Sequence, residues 1–117
     1  MMAAMAVTDV ALVSTDLLFA SRLRAALAAL ASVSLATGGE LPASATVFVD
    51  LNDDVDARID LIASLRARRR DVRIIGFCGH TEREVRVRAM EQGADQVVTN
   101  GALQQAAPRL LSGVASG

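Results

Sequence analysis

Asp50 closes the run Thr46-Val47-Phe48-Val49-Asp50, a carboxylate set at the end of three bulky apolar residues. Two of the three are β-branched, which suits a strand buried on both faces. In open α/β sheets ligands gather at the carboxyl ends of strands, so Asp50 is a candidate reactive group. Its neighbours decide what it can do. Asp53, Asp54, Asp56 and Asp60 come next; they could hold a divalent cation weakly, but N-capping of the next helix is the simpler expectation. Cys78 ends another apolar run and precedes Gly79-His80, which places a thiol near an imidazole. The chain has one Cys and one His, no nucleophilic constellation is completed, and Cys78 reads as an inert small hydrophobe. Arg66, Arg68, Arg69, Arg70 and Arg73 form one basic cluster and Arg83, Arg86 and Arg88 a second. These fit either an acidic protein partner or a solvated, salt-bridged helix face, with nucleic acid less favoured. Gly38-Gly39 sits in no GxGxxG or Walker pattern, so no phosphate loop is expected.

The whole composition narrows the chemistry further. A chain of 117 residues with 52% hydrophobic and 21% charged content is one globular domain. Its net charge of −1 gives no electrostatic reason for wholesale nucleic-acid binding. All 12 basic residues are arginine, which removes any lysine Schiff base or catalytic amine. Trp and Tyr are absent and Phe occurs only at 19, 48 and 77, so base-stacking platforms and aromatic cages are not expected. A single Cys fits a reducing compartment. Met1 to Ala6 lack a positive n-region, and Asp9 and Asp16 break up the apolar residues after them, so neither signal peptide nor membrane span is expected. A cytoplasmic protein without a cofactor is the expectation.

These residues must be positioned by alternating strands and helices. Val10 to Val13 is a short apolar run ending at Ser14-Thr15-Asp16, a strand followed by a helix N-cap cluster. A helix over roughly 16–31 places Phe19, Leu23, Ala26, Leu27 and Leu30 on one stripe. Residues 33–36 form a weaker strand, and Pro42 argues against helix in the loop 38–45. After the strand 46–50, a helix near 55–69 carries Ile59, Ile62 and Leu65 inward. Residues 72–77 make a fourth strand. Thr81 to Glu84 suggests a capping box, with Glu82–Arg86 and Glu84–Arg88 as favourable pairs on the helix it opens. Gly93 fits the C′ position. Residues 94–99 give a fifth strand, and 101–112 a last helix that Pro108 should kink or shorten. Alternation of this kind implies right-handed crossovers and a parallel sheet with helices on both faces.

From Asp9 to Leu111 the order and spacing resemble a response-regulator receiver domain. Arg88-Ala89-Met90-Glu91-Gln92-Gly93-Ala94-Asp95 looks like the family's passage into its fifth strand, and Leu18-Phe19 like the start of its first helix. The resemblance implies a flavodoxin-like, five-stranded α/β fold of order 2-1-3-4-5, with the second helix shortened or missing. The domain should span 9–113, between flexible termini 1–8 and 114–117. Asp50 falls where receivers carry the phosphoacceptor. The partners of that Asp do not keep to the pattern. The Mg²⁺-binding acidic pair looks like Ser14 and Thr15, the strand-four hydroxyl like Cys78, the strand-five Lys like Asn100 and the next Pro like Gly101; Val98 takes the aromatic switch position.

Aspartyl phosphorylation needs positive charge against the incoming phosphoryl group, and these replacements remove it. Serine and threonine are poor Mg²⁺ anchors without a carboxylate beside them. The resemblance therefore implies a degenerate receiver, not an enzyme, that acts through protein–protein contact. The degenerate pocket would comprise Ser14, Thr15, Asp16, Cys78 and Asn100, with no metal. Asp50 would then cap backbone N–H groups. Receivers commonly use the face around their fourth helix, fifth strand and fifth helix for dimers and partners; here that means Arg83, Arg86, Val87, Met90, Val97, Val98 and Leu103, with homodimerisation one outcome. The rival expectation is a functional phosphoacceptor in which Asp16 or Asp53 rebuilds a shifted metal site around Asp50. A third is a small-molecule sensor using the loops above the first, third and fourth strands.

Overall fold

The computed structural model describes residues 8–36 and 46–112. The elements are β1 (Thr8–Val13), α1 (Leu17–Leu27), β2 (Ala31–Ala36), β3 (Thr46–Asp50), α2 (Val55–Arg68), β4 (Arg73–Cys78), α3 (Arg83–Gln92), β5 (Gln96–Thr99) and α4 (Asn100–Ser112). The five strands form one all-parallel sheet in the order β2-β1-β3-β4-β5. This is the doubly wound, flavodoxin-like arrangement. The expected shortening of the second helix concerns 38–45, which lies outside the described residues, as do most of the expected flexible ends.

Side chains alternate across the strands and divide the core in two. On one face Ala11, Val13, Val47, Val49 and Ile74 meet Ile59, Ile62 and Leu65 of α2 and Val85 and Ala89 of α3. On the other, Val10, Leu12, Phe48, Ile75 and Phe77 meet Phe19, Leu23 and Leu27 of α1 and Leu103 and Ala107 of α4. The Phe19 and Phe77 rings stack with centroids 4.6 Å apart, fixing α1 against the centre of the sheet. All five residues of β3 are buried, as expected for a strand covered on both faces.

Several boundaries differ from the sequence expectation, each for a tertiary reason. The first helix ends at Leu27, not near 31, because β2 begins at Ala31 to pair all six residues of β1, from Thr8↔Ala31 to Val13↔Ala36. Leu30, expected on the buried stripe, is instead exposed. Thr8, expected in a flexible end, is the first residue of β1. The capping box before α3 does not form: the N-cap is Glu82, without a side-chain cap bond. Arg88 pairs with Asp56 of α2 at 2.8 Å, not with Glu84. α4 runs through Pro108 to Ser112, so the proline does not shorten it.

The far edge of the sheet is stapled by Arg66 near the end of α2. Its Nε donates to the Gly93 carbonyl (3.0 Å) and its Nη1 to the carbonyls of Arg70 (2.8 Å) and Val72 (2.9 Å). It also pairs with Asp95, whose Oδ2 accepts the Ile74 N–H at 2.8 Å. This guanidinium is thus more than a solvated helix end. Gly93, at φ 123°, lies against it: a Cβ there would come within 2.8 Å of the Arg66 Cβ. Gly93→Ala is expected to lower stability by about 1–3 kcal/mol, through both backbone strain and the lost staple, measurable as a reduced urea midpoint at unchanged m-value.

Candidate functional site

The site is assembled where β1 and β3 end side by side. Val13 and Val49 are register partners, so Ser14 and Asp50 leave the sheet as neighbours. Both are buried, with Asp50 5% exposed and Ser14 fully covered. Ser14 Oγ donates to Asp50 Oδ2 at 2.6 Å, a short charge-assisted bond. The other carboxylate oxygen, Oδ1, accepts from the Asn52 backbone N–H (2.9 Å) and from Asn52 Nδ2 (2.8 Å). Both oxygens of Asp50 are therefore engaged by donors of its own chain.

A second layer closes over the first. Asn52 and Asn100 exchange amide hydrogen bonds: Asn52 Nδ2 donates to Asn100 Oδ1 at 2.9 Å, and Asn100 Nδ2 to Asn52 Oδ1 at 3.1 Å. Asn100 is the first residue of α4, and that helix is capped by Thr99, whose Oγ1 accepts the Ala102 N–H at 3.1 Å. The Ser14 hydroxyl also accepts the Asp16 N–H (3.0 Å), which orients the turn into α1. From below, Arg58 Nη1 donates to the carbonyls of Val13 (3.1 Å) and Asp50 (3.0 Å).

The structure brings together Asp50, Ser14 and Asn100 of the expected pocket and sets the others apart. Asp16 is the N-cap of α1, its Oδ1 accepting the Phe19 N–H at 2.9 Å. Thr15 is exposed. Asp53 accepts the Asp54 N–H at 2.9 Å, beside the left-handed turn at Asp54 (φ 50°) that swings the chain into α2. Both acids that could have rebuilt a shifted metal site are thus used in local capping and turning. Cys78 is fully buried in the α2/α3 core. Burial pushes its thiol up from an ordinary value of 9.0, while Arg86 opposes the rise and Glu82 reinforces it. His80 is exposed at the turn after β4, whereas Cys78 is buried in the core. On the expected partner face, Val87 and Met90 are 50% and 45% exposed, Arg83 is exposed, and Arg86, Val97 and Val98 are half-buried. Leu103 departs from the expectation: it is fully buried against α1, so it contributes to the core and not to a surface.

A divalent ion does not fit this donor set. Ser14 is turned into Asp50, and Thr15 is exposed to solvent. Among the described residues no three of His, Cys, Asp and Glu converge. Hard cations want several oxygen ligands with carboxylate among them, and here the one buried carboxylate is already hydrogen-bonded on both oxygens.

No protein-family model and no curated protein matches the sequence. Solved structures do. The CheY-like protein TadZ of Pseudomonas aeruginosa PAO1 superposes with a TM-score of 0.81 at 17% identity, covering 90% of this chain and 97% of that one. The receiver domain of the TMAO respiratory response regulator TorR gives 0.80 at 24% identity, covering 93% and 98%. The N-terminal receiver domain of a two-component response regulator from Bacteroides fragilis gives 0.79 at 16% identity, covering 96% and 99%. The fold is that of a response-regulator receiver domain.

Within this receiver fold, Asn52 and Arg58 are pocket residues that the sequence reading missed. Asn52 sits two residues after Asp50, the spacing of an Asx turn. Arg58 interrupts the apolar stripe Val55, Ile59, Ile62, Leu65, and a charge on an inward stripe is itself a signal. Ser14→Ala should destabilise the domain by about 1–3 kcal/mol, because it strips a donor from a buried carboxylate. Asn52→Ala should add to that loss, both read from urea unfolding.

Proposed function

We propose that this chain is a degenerate receiver, a signalling domain that works by binding protein partners and not by Mg²⁺-dependent aspartyl phosphorylation. The observation that carries the reading is the engagement of both Asp50 oxygens by Ser14 and Asn52. In-line attack on a phosphoryl donor needs a free carboxylate oxygen and a cation against the developing charge. Here the nucleophilic oxygens are already bonded, the acidic pair is replaced, and Asn100 supplies a neutral amide where a lysine would supply charge. The chain on this reading catalyses no reaction of its own and holds no cofactor. No helix among the described residues is long and apolar enough to cross a membrane.

The surface offered to partners is α3 with the adjoining edge of β5. Val87 and Met90 lie one turn apart there, flanked by Arg83 and Arg86. Apolar side chains ringed by arginine suit a protein partner with acidic rims, or a second copy of this chain pairing Glu and Arg residues of α3 across a two-fold axis.

Two experiments test this reading. Incubation with acetyl phosphate and Mg²⁺ should leave the intact mass unchanged, and beryllofluoride should shift neither the melting temperature nor the amide spectrum. A phosphoform absent from Asp50→Asn would establish the rival, a working phosphoacceptor. Separately, sedimentation of the purified chain should show self-association that Met90→Asp weakens by about tenfold or more. A strictly monomeric wild type at all concentrations would leave hetero-association as the role of this face.

A further inference from the structure

Arg58 is 3% exposed, on the inward stripe of α2 among Val55, Ile59 and Ile62. One nitrogen, Nη1, bridges the last carbonyl of β1 and the last carbonyl of β3. Neither acceptor carries a formal charge. No carboxylate among the described residues forms an ion pair with Arg58 within 4.0 Å. A buried cation left without a counter-charge is costly. The buried carboxylate beside it is Asp50, the residue whose own carbonyl Arg58 holds. The same residue is thus tied to Arg58 through its backbone and to Ser14 and Asn52 through its side chain.

We propose that Arg58 is a resident cation of the Asp50 site, a guanidinium built into α2 that supplies the positive charge for which a receiver fold otherwise recruits a divalent ion. The proposal rests on the degenerate-receiver reading for its biological sense, but its physics is independent of it. A fixed charge beneath the strand ends offsets the Asp50 carboxylate and repels a second cation from the same place. The site is then charge-balanced without metal. Restoring an acid at position 14 would not by itself restore metal binding, because the guanidinium would remain.

A double-mutant cycle and a metal titration test this together. Asp50→Asn, Arg58→Met and the double variant are unfolded in urea, with Arg58→Lys as the charge-preserving control. If Arg58 is the counter-ion, the double variant is more stable than the sum of the single losses predicts, by about tenfold or more in the unfolding equilibrium constant. Arg58→Lys should keep most of the coupling to Asp50→Asn. Additive losses, or coupling that Arg58→Lys loses as completely as Arg58→Met does, would overturn the proposal. Mn²⁺ is then titrated into Ser14→Asp and into Ser14→Asp/Arg58→Met, monitored by water-proton relaxation. Binding is expected only in the second protein, and equal Mn²⁺ affinity in both overturns the assignment. Should Arg58→Met fail to fold, Ser14→Asp/Arg58→Gln carries the titration, and the Arg58→Lys arm alone decides the cycle. Failure of the degenerate-receiver reading would show separately, as phosphorylation of the wild type.

Discussion

A carboxylate buried at the end of a strand has to be solvated by its own chain, and that requirement organises the functional edge of this sheet. Asp50 is almost without water, so each of its oxygens must find donors inside the protein. It finds them in the residue leaving β1 and in the residue two positions beyond itself. Asn52 in turn is fixed by Asn100 at the mouth of α4. Three separate connections of the fold are thereby tied to one side chain. This edge uses the carboxylate to hold the turns together.

The same closure bears on how a signal could leave the domain. In a switching receiver a hydroxyl at the end of β4 tracks the phosphoryl group. β4 of this chain ends on Cys78, packed into the apolar layer between β4 and α2/α3. A thiol is a weak hydrogen-bond donor, and one held in a core has little freedom to move. β5 carries no aromatic residue, and its Val98, half-buried against the opposite core, has no ring to rotate. On the proposed reading, α3 presents Val87 and Met90 in a geometry set by packing, and partners recognise a fixed surface.

The parts of this architecture that arise from local pattern were legible in the sequence. Buried β3, the inward faces of α2 and the glycine end of α3 each depend on residues within one turn or one strand of each other. Long-range parts were not legible. Leu27 ends α1 because β2 must match β1 in length, which no window within the helix records. Leu103 looked like a surface residue on an amphipathic segment, yet α4 lies against α1 and buries it. The Asn52–Asn100 clasp joins residues 48 positions apart. Asp50 itself was placed correctly by its strand. Its surroundings depend on which loops the topology brings to the same edge.

Arg58 shows how a local inconsistency can carry information. An arginine on the core stripe of α2 breaks the helical pattern, and an apolar residue of similar volume would cost less desolvation. Hydrophobic packing alone does not explain the charge at that place. We read it together with the burial of Asp50: the guanidinium that caps two strand carbonyls, and so fixes the spacing of β1 and β3, also puts a positive charge beneath that carboxylate. On the proposed assignment the two charges, each unfavourable alone, compensate one another. On that argument the acid at the strand end persists in this chain because the arginine beneath it makes it tolerable, and no reaction at Asp50 is required to account for its presence.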